Sequence, residues 1–157
     1  MGEPATTLLF GLDKLDMLLR MYTEGFTPEH WRSRAGELHS AHWILAHLVL
    51  DIHQAAGRAV VFGEELDKTL DYGAPVEEDR SQWPTPEALL TEWGVAHASL
   101  VRVWGERDEA AWLAPVKENR LKAMNRAQMD MFILEHAVYH VGQLGALRRV
   151  LGLPGVV

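Results

Sequence analysis

Two histidines four residues apart, His136 and His140, lie in the most apolar and helix-like run near the C-terminus, Glu135-His136-Ala137-Val138-Tyr139-His140-Val141-Gly142-Gln143-Leu144. On an α-helix four residues advance about 400°, so the two imidazoles share one face, one turn apart. Ring nitrogens so placed can reach a single metal ion from the same side, and a site built on them needs at least one further ligand. The plainer reading is a pair of neutral, hydrogen-bonded core histidines. Burying imidazoles without partners costs about 1–3 kcal/mol for each unsatisfied group, and coordination removes that cost. An isolated His-x-x-x-His is a weak motif, so the decision rests on a third ligand.

His47 is the candidate. It lies beside Leu48 on the core-facing stripe of a different predicted helix, and facing side chains are where helical bundles build metal sites. The other five histidines are set aside. His30, His39 and His42 fall in or beside a loop and read as solvent-exposed or capping. His53 lies six positions past His47, about 240° around the helix, and cannot share a ligand with it. His97 reads as a half-buried packing residue. Three imidazoles would take a borderline divalent ion such as zinc, nickel or copper and leave at least one position open for water or substrate. The chain contains no cysteine, which excludes disulfides, iron–sulfur clusters and a thiol nucleophile of its own.

Four long helices must position these residues. Leu8, Leu12, Leu15, Leu19 and Tyr22 recur at three- and four-residue steps and predict a helix capped by Thr6 or Thr7 and running to about Glu24, with Gly25 beyond it. Ser40 is the N-cap expected for a second helix reaching roughly Phe62, its stripe carrying Ile44, Leu48, Ile52 and Ala55 or Ala56. Thr85-Pro86-Glu87 is a strong start for a third, carried by Leu89, Trp93, Ala96, Leu100 and Val103 or Trp104 to about Glu106. Asn125 caps a last helix to about Leu151, with a seam of Met129, Ile133, His136, His140, Leu144 and Leu147. The connections 26–39, 64–83 and 108–124 read as irregular. The second contains Gly73, Pro75 and the acidic run Glu77-Glu78-Asp79, and its length fits a crossover, since short loops would force antiparallel neighbours. The result is an all-α, four-helix bundle with a long crossover between its second and third helices, in one domain spanning 1–157.

The overall charge of −7 lacks the basic stripe of a nucleic-acid surface. No apolar run approaches the roughly 20 residues of a membrane span, and the first residues lack the pattern of a secretory signal. Met1-Gly2-Glu3-Pro4-Ala5-Thr6 fits the loose myristoylation pattern, with Glu3 and Pro4 against it. A cytoplasmic protein is expected.

Ser40-Ala41-His42-Trp43-Ile44-Leu45-Ala46-His47-Leu48, followed about ninety residues later by the His136–His140 run and its Gly142-Gln143, resembles the DinB/YfiT-like superfamily. That resemblance implies a four-helix bundle with a three-histidine metal site: His47 from the second helix, His136 and His140 from the fourth. It further implies a metal-dependent hydrolase, or a transferase using a low-molecular-weight thiol such as bacillithiol, mycothiol or glutathione, with zinc or nickel bound and a small-molecule substrate. A non-catalytic, metal-binding stress-response bundle is the alternative.

Gln143, nearly two turns past His136, could hydrogen-bond substrate or a ligand imidazole, the equal alternative being a polar residue that merely ends the core stripe. Asp51, one turn beyond His47, could orient that ring or donate an oxygen, the plainer reading being a solvated carboxylate. Glu135 reads as a surface charge. Trp43, Trp93 and Trp104 sit at core positions, while Trp31, Trp83 and Trp112 read as anchors of the connections. Val60, Val61, Val101 and Met131, outside the predicted seams, leave room for a homodimer.

Overall fold

A computed structural model describes residues 3–36, 39–58, 60–70, 83–116 and 124–156. Its four long helices are α1 (Glu3–Thr23), α3 (Ala41–Ala55), α5 (Pro86–Glu106) and α7 (Arg126–Val150); the short helices α2 (Pro28–Arg32), α4 (Glu64–Leu70) and α6 (Glu109–Leu113) lie in the connections. Among the described residues the β structure amounts to one isolated bridge, Pro115 to Asn125.

Three of the predicted caps form. The side-chain oxygens of Ser40, Thr85 and Asn125 accept from the backbone N–H of Trp43, Ala88 and Gln128, each satisfying a donor the first turn leaves unpaired. Two boundaries differ from the sequence reading. α1 begins at Glu3, so Thr6 and Thr7 lie inside the helix. α3 stops at Ala55, because Gly57 takes a left-handed φ of 92° that ends the helix, with Arg58 N–H donating back to the His53 carbonyl at 2.8 Å. The residues from Glu64, read as irregular, form α4 instead.

Contacts between the long helices give a ring in the order α1, α5, α3, α7. Trp93 of α5 donates its indole N–H to Asp16 of α1 at 2.8 Å, and His97 lies 3.4 Å from Asp13, so α1 and α5 are antiparallel. The residue pairs His42 with Pro84 and His53 with Glu92 rise together along both chains, so α3 and α5 run parallel. The long link between them is therefore a crossover, as its length implied. Its residues 71–82, including Gly73, Pro75 and Glu77-Glu78-Asp79, lie outside the described residues, as do Met1 and Gly2 of the myristoylation pattern and residues 117–123. Leu134 lies against Gly11 and Gly145 against the Tyr22 ring, which makes α1 and α7 parallel as well.

Leu8, Leu12, Leu15 and Leu19 of α1 and Leu89, Trp93, Ala96, Leu100 and Trp104 of α5 fill the core along the stripes read from sequence. Those leucines and aromatics leave water entirely, burial worth about 1.5–3 kcal/mol for each large side chain. The α7 seam is rotated from the predicted one. Asp130, Leu134, Ala137, Val141, Leu144 and Leu147 are buried, while Met129, Ile133 and His136 flank them. The rotation was hidden because two of its positions are an aspartate and an alanine. Asp130 pairs with Arg107 at the end of α5, whose guanidinium lies over the Trp112 ring of α6, 4.8 Å from its centroid. Trp31, Trp83 and Trp112 are all buried, anchoring the connections to the bundle. Val61 and Val101 pack on the core, whereas Val60 and Met131 are exposed. No helix among the described residues is long and apolar enough to cross a membrane.

Candidate metal centre

The antiparallel pairing of α3 with α7 brings His47, His136 and His140 together, each offering one ligand atom within 4.8 Å of the others. The one-turn spacing on α7 stacks His136 and His140 edge to face with ring centroids 4.5 Å apart, and His47 reaches across from α3. His47 and His140 are buried, and His136, at the edge of the seam, is half-buried.

Two of the rings are oriented by hydrogen bonds on the nitrogen away from the cluster. His47 Nδ1 lies 2.7 Å from the Leu70 carbonyl oxygen at the end of α4. A carbonyl only accepts, so Nδ1 carries the proton and Nε2 is left with its lone pair. His140 Nδ1 donates in the same way to Gln143 Oε1 at 2.8 Å. Such outer partners fix tautomer and ring direction in metal-binding histidines. Burial, and next the nearby His47, push the His140 pKa down to about 4, so the ring is neutral near pH 7.

The Nε2 atoms of His47 and His136 are 3.1 Å apart. A proton on His136 Nε2 donated to the His47 lone pair, or a metal ion shared by the two nitrogens, satisfies that approach. Metal–nitrogen bonds of 2.0–2.1 Å in a tetrahedral site put neighbouring ligand atoms about 3.3 Å apart, so the donor set fits a divalent ion.

An aromatic wall closes one side. Trp43 stacks on His47 at 4.8 Å, and His39 stacks on Trp43 at 3.7 Å. Phe132 and Tyr139, both exposed, lie beside His136 and His140. His39 and His42 thus depart from the exposed or capping roles expected of loop histidines. His39 is half-buried in the stack, and His42 is buried with its Nε2 2.8 Å from the Pro84 carbonyl oxygen. Packing covers both: the Trp83 ring lies edge-on against His42, and His39 stacks on Trp43. His30 does cap, its ring accepting from Thr27 N–H. His53 lies away from the cluster with Nε2 3.3 Å from Glu92, and Glu135 is exposed.

Asp51 is the second departure. Its Oδ2 sits 3.3 Å from His47 Nε2 and 3.2 Å from His136 Nε2, so the carboxylate faces the cluster. Sequence reasoning missed the Leu70 carbonyl altogether. Its one signal was the helix start after Gly63, where Glu64, Glu65 and Asp67 crowd the first turn ahead of Leu70.

Residues 12–144 match the model of the DinB superfamily. The chain belongs to that superfamily. Among solved structures, this DinB chain is similar to YfiT from Bacillus subtilis, described as a probable metal-dependent hydrolase with an unusual four-helix bundle topology. The two share 12% sequence identity with a TM-score of 0.76, over 98% of this chain and 91% of YfiT. At that identity the likeness concerns the fold, and the parallel α1–α7 and α3–α5 pairs are its form in this DinB bundle. No curated protein matches the chain.

Proposed function

We propose that this DinB-superfamily chain binds a divalent metal ion, zinc or nickel, through His47, His136 and His140, and uses it to hydrolyse a small-molecule substrate. The observation that carries the reading is the pair of oriented rings: His47 and His140 both spend Nδ1 on a protein acceptor, leaving their Nε2 lone pairs for the cluster. A bound ion would supply Lewis acidity and lower the pKa of water held at an open position. The chain's own groups do the rest. The Leu70 carbonyl and Gln143 hold the imidazoles in the ligating tautomer, and the Trp43–His39 stack keeps water from their flank. The description of YfiT as a probable metal-dependent hydrolase supports the same chemistry. A low-molecular-weight thiol in place of water would make the protein an S-transferase. The absence of cysteine fits that version, since the sulfur would come from the cosubstrate.

A second reading, a non-catalytic metal-binding bundle, draws on Asp51, whose carboxylate occupies space beside the histidines. Whether the metal can take an external ligand, water or thiol, separates the two, because a site closed to any added ligand has no room for catalysis.

Elemental analysis of tag-free protein after loading with zinc or nickel tests the ligand set. Wild type should hold one equivalent, and His47→Ala and His140→Ala should lose it. A wild type without stoichiometric metal, or variants that keep it, would sink the reading. Ester and amide hydrolysis screens, run beside thiol-conjugation screens with an electrophilic probe, then decide the reaction.

A further inference from the structure

The geometry points to Asp51 as a fourth protein ligand, making the centre a three-histidine, one-carboxylate site. Asp51 and His47 lie one turn apart on α3, which puts both on the face toward α7. The consequence appears in the distances. Asp51 Oδ2, His47 Nε2 and His136 Nε2 form a triangle with sides of 3.1, 3.2 and 3.3 Å. Those three sides are close to the roughly 3.3 Å edge between neighbouring ligands at 2.0–2.1 Å from a metal, and His140 joins through the imidazole cluster, whose ligand atoms lie within 4.8 Å of one another.

A carboxylate serving only to orient a histidine would lie behind the ring, on the nitrogen away from the metal. That place is already taken at His47 by the Leu70 carbonyl. Asp51 instead meets the Nε2 edge of two imidazoles at once, on the side where the ion would sit. Three neutral imidazoles and one carboxylate leave a net charge of +1 on a bound divalent ion. They also harden the donor set, which favours zinc or nickel over softer copper(I). A reacting water or thiol then needs a fifth position, which zinc can open by expanding its coordination.

The inference rests on the three-histidine reading, and its test separates the two. Cobalt(II) loaded as a spectroscopic stand-in reports ligand number and type through its visible absorption. Calorimetric titration with zinc reports affinity. In Asp51→Asn, which keeps the shape and removes the charge, zinc affinity should fall more than 100-fold and the cobalt bands should shift. Asp51→Glu, a carboxylate on a longer stem, should recover part of the affinity. Circular dichroism and thermal melts of the metal-free variants check the fold. Cobalt bands that superimpose for wild type and Asp51→Asn, whatever the affinity, would overturn the carboxylate ligand and leave the three histidines standing. A wild type that binds neither metal would overturn both.

Discussion

His47 Nδ1 lies 2.7 Å from the carbonyl oxygen of Leu70, the last residue of α4. This one hydrogen bond decides the tautomer of the histidine on which the candidate site turns. Gln143 does the same for His140. In metal-free protein, long-range ¹H–¹⁵N spectra near pH 7.5 should therefore show both rings protonated at Nδ1. Protonation at Nε2 in either ring would mean that its lone pair points away from the cluster, contrary to the proposed centre.

Gln143 reaches back one turn of α7 to His140, so its contribution passes through the imidazole. Gln143→Leu keeps the size and removes the acceptor. It should lower zinc affinity about 10–100-fold, the range for outer-shell partners of metal-binding histidines. The melting temperature of the metal-free protein should change little. Gln143→Glu supplies a stronger acceptor and should hold affinity at or above wild type. Equal affinities across all three proteins would show that the hydrogen bond does not orient His140.

Much of this was legible in the chain. The α1 and α5 stripes are runs of leucine and tryptophan at helical spacing, so period and composition agreed. The crossover was legible from its length. The α7 seam was harder, because Asp130 is buried through its partner Arg107, and a pattern of apolar residues cannot register a pair whose partner lies 23 residues away. Asp51 was ambiguous for a related reason. Its place on α3 is fixed by helical geometry, but whether it meets water or two imidazoles depends on how α7 lies across it. A main-chain acceptor such as the Leu70 carbonyl carries no side-chain identity at all, so residue type could not reveal it.

The pKa shifts set a pH dependence for the metal-free protein. Burial pushes His140 from the ordinary 6.5 down to about 4, and burial also lowers His39 and His53. Each folded-state value lies below the unfolded one. Between about pH 6.5 and 4 the unfolded chain thus takes protons that the folded chain refuses, and stability falls as pH drops through that window. It is fully present above the window. His140 alone would account for up to about 3 kcal/mol. Urea midpoints measured with a chelator should be clearly lower at pH 5 than at pH 7.5, and His140→Gln should flatten the difference. Coincident midpoints for wild type would contradict the shifts.

Asp67 connects a surface turn to the site. Its carboxylate, buried in α4, accepts from the backbone N–H of Val61 at 2.8 Å and of Phe62 at 3.1 Å, clamping the turn that leads into the helix. Asp67→Ala leaves both donors without their acceptor, which should cost about 1–3 kcal/mol, with water recovering part of it. Three residues on, the same helix presents the Leu70 carbonyl to His47. Loosening α4 should therefore also weaken zinc binding, although Asp67 is no ligand. Denaturant unfolding of the metal-free variant and calorimetry of the folded one measure the two effects separately. A variant that loses stability yet binds zinc like wild type would show that α4 holds the turn without holding His47.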